Sequence, residues 1–119
     1  MSEGRAVSGA ALIWCPFEDA ESAQGVAAQL VEERLVACAN ILPQMVSVFR
    51  WEGAVTQGRE AGVLFKTSAE RLSDAVQRLA QLHPYDTPAI AGWRVDDAPA
   101  GVMEWLEQCV GRDSGHDRG

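Results

Sequence analysis

Residues 36–67 constrain the fold more than any other stretch, because they form two long strand patterns separated by a turn. In the first arm the side chains alternate between two faces, with Met45, Ser47, Phe49 and Trp51 on one and Val46, Val48 and Arg50 on the other. Both faces therefore carry large apolar groups. The chain offers about three helical segments, which in a small α+β domain cover one face of a sheet. We therefore expect a homo-oligomer whose subunits meet through the sheet.

The same stretch contains residues that interrupt a strand or favour a turn. Pro43 interrupts the first arm, and because proline has no N–H to donate, we expect a bulge or an edge position there. The Trp51-Glu52-Gly53 corner and the Gln57-Gly58 pair supply residue types that favour turns. The turn is therefore expected between residues 51 and 58.

The remaining segments complete an α+β pattern. A first strand is expected over residues 6–14, ending at Cys15-Pro16, and a first helix follows with Asp19 as its N-cap. Ser68 is expected to cap a second helix, which Pro84 stops. A last strand over about residues 88–95 and a third helix from Pro99 follow. The order βαββαβ plus a terminal helix is the split βαβ of ferredoxin-like folds, here a single domain over residues 1–111 with a disordered tail at 112–119.

That topology brings two reactive side chains to one rim of the sheet. With the third strand inserted antiparallel between the second and the first, the end of strand one and the end of helix two lie together. Cys15 and His83 therefore share that rim, whereas Cys38 lies at the opposite rim. We expect Cys38 and Cys109 to be small buried hydrophobic residues.

Composition excludes several classes of function. Ten Lys and Arg against 17 Asp and Glu give a net charge of −7, which disfavours nucleic acid and anionic membranes as partners. The N-terminal apolar run is too short for a signal sequence or a membrane span. Three cysteines without a Cys-x-x-Cys pair suit free thiols in a reducing compartment, so a cytoplasmic location is expected. No enzyme is expected, because Cys15 and His83 lack a third orienting group for nucleophilic catalysis.

Four short motifs follow one another along the chain. They are Ala37-Cys38-Ala39-Asn40-Ile41-Leu42-Pro43, Trp51-Glu52-Gly53, Lys66-Thr67 and His83-Pro84-Tyr85. In this order they resemble the CutA family of divalent-cation tolerance proteins. The resemblance covers roughly residues 15–110. It implies a ferredoxin-like subunit and a tight trimer that is similar in architecture to PII signalling proteins.

The resemblance also implies a role in tolerance of copper and other divalent cations, with copper ligands at Cys15 and His83. Thiolate and imidazole suit copper and zinc, although such a centre normally has three or four ligands. Two positions depart from the family's pattern, since Leu82 replaces the second histidine of some members and Ala89 replaces a common glutamate. Both departures remove a potential ligand from the rim.

Two other functions are consistent with the sequence. One is a PII-like regulatory module that binds a small anion or nucleotide in a cleft between subunits. The residues expected in that cleft are Trp51, Glu52, Lys66, Tyr85 and Asp86. The other is a purely structural trimer that organises a partner without binding a small ligand.

Overall fold

The computed structural model describes residues 9–111, which form a four-stranded antiparallel sheet and three helices. The elements in chain order are β1 (Ala10–Phe17), α1 (Ala20–Glu32), β2 (Cys38–Trp51), β3 (Ala54–Ser68), α2 (Leu72–Leu82), β4 (Ala91–Arg94) and α3 (Ala100–Val110). The strand order is β2-β3-β1-β4. The predicted ferredoxin-like βαββαβ order with a terminal helix is confirmed, and so is the insertion of β3 between β2 and β1.

The core lies between the sheet and the first two helices. Alternate residues of β1 and β3 point into it, namely Ile13, Cys15, Phe17, Ala61, Val63 and Phe65, and they pack against Ala23, Ala27 and Leu30 of α1 and Ala75 and Leu79 of α2. The side chain of Asp19 accepts a hydrogen bond from the Ser22 N–H at 2.9 Å, which confirms the predicted N-cap. The opposite face of the central sheet, with Trp14 and Leu64, has neither α1 nor α2 on it.

A long β2–β3 hairpin extends beyond this core. Its register runs from Cys38 opposite Lys66 to Trp51 opposite Ala54, whereas β1 pairs with β3 only from Ser68 back to Ala61. Glu52 and Gly53 form the turn with φ angles of 51° and 83°, the left-handed values that a two-residue hairpin turn requires. The part of the hairpin beyond β1, residues 45–60, is here called the hairpin arm.

The prediction of turning residues was right at Trp51-Glu52-Gly53 and wrong at Gln57-Gly58. Gln57 pairs with Val48 and Gly58 pairs with Ser47 inside β3. Strand pairing overrides the local preference of this dipeptide, because the long β2 partner continues on both sides of it. The expected irregularity at Pro43 is confirmed, since the register shifts between Leu42 and Met45 on the edge strand β2.

The first strand does not stop at Cys15-Pro16 but continues to Phe17. The carbonyl of Pro16 lies 2.9 Å from the His83 ring, so the main-chain groups of Pro16 face the side away from β3. On that side β4 pairs with β1 only as far as Trp14, and a proline without an N–H therefore breaks no ladder bond there. Residues 6–8 of the predicted strand lie outside the described residues.

Smaller corrections concern element ends and cysteine burial. Ser68 accepts a hydrogen bond from the Arg71 N–H at 3.2 Å in a turn that precedes α2, and it is not the N-cap of that helix. The last strand is shorter than predicted, because residues 83–90 form a loop around the end of β1 before β4 starts at Ala91. Cys38 and Cys109 are half-buried. The predicted tail at 112–119 lies outside the described residues.

Candidate functional site

His83 ends α2 and anchors the loop that follows it. Its Nε2 lies 2.9 Å from the carbonyl oxygen of Pro16, and its Nδ1 accepts a hydrogen bond from the Tyr85 N–H at 3.1 Å. With Nδ1 as the acceptor, the ring proton sits on Nε2 and is donated to Pro16. The ring also stacks on Phe17, with centroids 4.2 Å apart and planes 22° apart. Both ring nitrogens are therefore occupied, and the ring is held against the end of β1.

Cys15 lies on the core side of β1, where its side chain is fully buried. Its Sγ lies 3.5 Å from the carbonyl oxygen of Pro16. Burial, with a smaller contribution from the Glu60 carboxylate, raises the pKa of the Cys15 thiol from 9.0 to about 12. At neutral pH this residue is a protonated thiol, whereas copper and zinc bind the thiolate.

Cys15 and His83 meet at the predicted rim but are not arranged to hold a metal ion. A metal would have to deprotonate the thiol and displace the hydrogen bond from one nitrogen of His83. Across residues 9–111, no group of three or more His, Cys, Asp or Glu side chains is placed to surround an ion. The residues that the sequence points to therefore do not fit a preformed copper centre within one subunit.

A cleft opens on the other side of this loop, between the hairpin arm and residues 85–87. It has a volume of about 670 Å³ and is lined by Phe49, Trp51, Thr56, Glu60, Tyr85, Asp86 and Thr87. This volume lies in the range of small-molecule sites, which is about 300–1,000 Å³. Phe49 and Thr56 face each other across the hairpin, so β2 and β3 both contribute to one wall.

The structure brings together three of the five residues that were predicted to line a ligand cleft. Trp51, Tyr85 and Asp86 line it, whereas Glu52 sits at the hairpin turn beside it. Lys66 is at the other end of β3, twelve residues beyond the partner of Trp51, and lines a separate apolar depression with Leu12 and Trp105. At about 3.3 Å per strand residue this separation is about 40 Å. Within one subunit, Lys66 cannot neutralise a ligand in this cleft.

Glu60 is the charged cleft residue that the sequence analysis missed, along with Phe49, Thr56 and Thr87. The Ser47 hydroxyl donates to its Oε1 at 2.7 Å, and the Tyr85 hydroxyl lies 3.5 Å from its Oε2. The signal was present in the alternation, because Glu60 shares a face with Ser47 and Phe49 once β2 and β3 are paired. Recognising it required the register across the Pro43 bulge, which a strand pattern alone does not provide.

Comparisons with known proteins place this fold in a family. The family model described as "CutA1 divalent ion tolerance protein" matches residues 11–109. The divalent-cation tolerance protein CutA of Pyrococcus horikoshii is 38% identical over 95 residues, which are 80% of this chain and 92% of that protein. The chain belongs to the CutA1 divalent ion tolerance family.

Solved CutA structures have the same fold as this chain. CutA from Xylella fastidiosa superposes with a TM-score of 0.82 at 34% identity, covering 87% of this chain and 99% of that one. A CutA from Archaeoglobus fulgidus that is described as periplasmic superposes with a TM-score of 0.79 at 27% identity, covering 85% and 98% of the two chains. In residues 9–111 of our chain, the helices are too short or too polar to cross a membrane.

Proposed function

We propose that this CutA-family chain contributes to tolerance of divalent cations as a homotrimer whose subunits join through the hairpin arm. The observation that carries the proposal is the exposure of apolar side chains on the arm. Val46, Val48 and Val55 are 56%, 67% and 69% exposed in the subunit. Arrays of exposed apolar residues of this kind mark interaction surfaces. Neighbouring copies packed on the arm would remove these valine side chains from water.

The position of β2 supports the same proposal. It is an edge strand of the sheet, so one side of its backbone has no strand partner among residues 9–111. A long unpaired edge with apolar side chains is a template for pairing with another chain. The number three follows from the family resemblance, which implies a trimer of the PII-like type.

Copper remains the first cation to test, because the family is named for divalent-ion tolerance and thiol and imidazole groups suit this metal. The buried thiol of Cys15 and the doubly hydrogen-bonded ring of His83 do not support a preformed centre. We therefore expect the tolerance function not to depend on a tight copper site at this pair. The cytoplasm is the proposed compartment, because Cys15, Cys38 and Cys109 are free thiols.

A growth assay tests the tolerance function and its dependence on assembly. Cells that lack the gene would be exposed to graded copper, zinc and cobalt with the wild-type chain, Val48→Lys or Val31→Lys supplied. Val31 is an exposed apolar residue on α1, outside the arm, and serves as the matched control. We expect wild type and Val31→Lys to restore growth and Val48→Lys to fail. Equal growth with and without the wild-type gene would contradict the proposal.

A copper titration tests the predicted ligand pair separately. Copper(I) and zinc would be titrated anaerobically into the reduced protein, with Cys15→Ser and His83→Gln as variants. We expect the binding isotherm to be the same in Cys15→Ser as in wild type. A saturable site that both substitutions abolish would instead establish Cys15 and His83 as metal ligands and overturn our interpretation of their burial.

A further inference from the structure

An apolar depression lies between α3 and the start of β1, at the opposite end of β3 from the hairpin arm. It has a volume of about 260 Å³, and none of the described residues that line it falls within residues 45–60. Three of the lining residues, Ala10, Ala11 and Leu106, are at most 6% exposed. The depression, here called the α3 depression, therefore reaches into the fold between the helix and the sheet, and the packing of the subunit itself sets its shape.

Lys66 brings a positive charge to the α3 depression. It is the only charged side chain among the described residues that line it. Thr67 also lines the depression, but its hydroxyl donates to the Leu35 carbonyl at 2.7 Å. Within residues 9–111, the Lys66 ammonium group has neither an ion pair nor a hydrogen-bonded partner. An ammonium group that lacks an acceptor beside apolar walls is complementary to a single anionic group.

The residue type at this position also fits such a role. Of the ten lysine and arginine residues in the chain, only Lys66 is a lysine. Arginine presents a planar fork that binds two oxygens at once, whereas lysine carries a compact charge on a flexible alkyl stem. The stem can lie along an apolar wall while the ammonium group reaches a ligand at the rim. A lysine here favours one charge contact over the several hydrogen bonds that recognise a phosphate group.

We propose that the α3 depression binds a monocarboxylate with an aliphatic chain, whose carboxylate contacts Lys66. The chain lies against Leu12, Val102 and Trp105, which line the depression, and burial of its methylene groups favours binding. The volume is slightly below the range of about 300–1,000 Å³ of small-molecule sites, which suits a thin ligand of medium length. Because Lys66 repels a divalent cation, this ligand class differs from the metal ions of the tolerance function. The proposal does not rest on that function.

The alternative occupant is an acidic side chain of a neighbouring copy. Lys66 pairs with Cys38, whereas Glu60, the last residue of the arm, lies six residues away along β3. At about 3.3 Å per strand residue this separation is about 20 Å, so the depression is remote from the arm of its own subunit. A volume of about 260 Å³ holds an alkyl chain, whereas a helix of another subunit, about 10 Å across with its side chains, does not fit. The shape of the depression therefore favours the small molecule.

Octanoate and octan-1-ol provide a matched pair of probes, because they share one chain length and differ in the charged end group. Each would be titrated calorimetrically at neutral pH into full-length wild type and Lys66→Met in their native oligomeric state. We expect octanoate to bind wild type saturably and Lys66→Met about tenfold more weakly, as the loss of a charge-assisted hydrogen bond predicts. Octan-1-ol should bind both proteins equally. The absence of saturable octanoate binding to wild type, or equal losses for both probes, would overturn the proposal.

Further variants locate the binding. Lys66→Arg keeps the charge and should retain most of the octanoate affinity. Arg78→Gln removes one positive charge between α1 and α2, away from the depression, and is the charge-matched control that should change nothing. Val102→Glu places a carboxylate on the wall of the depression, so it should compete for Lys66 and remove octanoate binding. This variant keeps the proposal falsifiable if Lys66→Met does not fold.

The mass of Lys66→Met in sedimentation equilibrium decides between the two occupants. The wild-type mass, together with weakened octanoate binding, supports the small-molecule site. A mass below that of wild type would show that a neighbouring copy covers Lys66 and would contradict the proposal.

Discussion

The two halves of β3 differ sharply although they belong to one continuous strand. Residues 61–68 lie mostly buried under α1 and α2, with Val63 and Phe65 fully enclosed. Residues 54–60 run along the hairpin arm and are mostly exposed, with Val55 among the most open apolar side chains. Residues 61–68 complete a core within the subunit. Residues 54–60 have apolar groups but no core of their own, and this contrast is the basis for proposing that the arm serves assembly.

The strongest test of this contrast compares two phenylalanines. Phe65→Ala empties a fully buried position and should lower the free energy of unfolding by about 3–5 kcal/mol. Phe49→Ala, on the exposed arm, should change the stability of the subunit fold far less. Urea denaturation of both variants in the Val48→Lys background, where the proposed assembly is disrupted, measures the subunit fold alone, because the stability of an oligomer also includes its association. Equal losses would show that the arm is as much a part of the subunit core as β1 is.

Gly62 marks the boundary between the two halves and should be the next most sensitive position. A Cβ there would clash with the Trp14 ring and lie 2.8 Å from the sulfur of Met45. Gly62→Ala should therefore cost about 1–3 kcal/mol of stability through overpacking. Gly58→Ala is the matched control on the arm, because its Cβ would lie at an ordinary 3.8 Å from Phe49. A neutral Gly62→Ala in the same denaturation assay would contradict this close approach.

The hairpin turn offers a smaller change of the opposite sign. Glu52 holds a left-handed φ of 51°, a conformation in which asparagine is favoured over glutamate. Glu52→Asn should therefore stabilise the protein by up to about 1 kcal/mol. Gly53→Ala should destabilise it, because Gly53 also has a positive φ of 83°. Thermal unfolding of the two variants measures both effects, and the same sign for both would contradict the turn geometry.

An exposed ion pair between α1 and α2 should give the smallest effect. Arg78 donates to both oxygens of Glu33 at 2.9 Å and, together with Gln29, lowers the pKa of Glu33 from 4.5 to about 2. The stabilisation is complete above the ordinary pKa of the carboxyl and is lost as the pH falls towards 2. Arg78→Gln should cost little at pH 7 and still less at pH 2, where half of the Glu33 carboxyls are protonated. Denaturation at both pH values checks this, and a pH-independent difference would exclude the ion pair as its cause.

Features of the fold could be predicted where the chemistry of a residue, or the alternation of its neighbours, decides the local conformation. The missing N–H of Pro43 predicted the bulge, and alternation between Met45 and Trp51 predicted the arm. The same reasoning failed at Pro16. A proline is tolerated at that position of β1 because the pairing of β4 with β1 ends at Trp14. It failed again at Gln57-Gly58, where the long partner strand decides the conformation.

The site was predictable only in part, because it depends on distances along paired strands. Trp51, Tyr85 and Asp86 were expected together and line one cleft. Lys66 was assigned to a cleft between subunits as a cationic residue near a strand end, and within one subunit the length of β3 separates it from Trp51 and Tyr85. The chemistry of Cys15 depends on burial, which raises its pKa, and a sequence does not report the depth of a side chain.

The mass of the protein in solution tests the central claim most directly. Sedimentation equilibrium would be measured on wild type, Val48→Lys and the control Val31→Lys at micromolar concentration. We expect three times the 12.8 kDa subunit mass for wild type and Val31→Lys, and a lower mass for Val48→Lys. A wild-type protein that sediments as a single subunit would contradict the assignment of the arm to assembly.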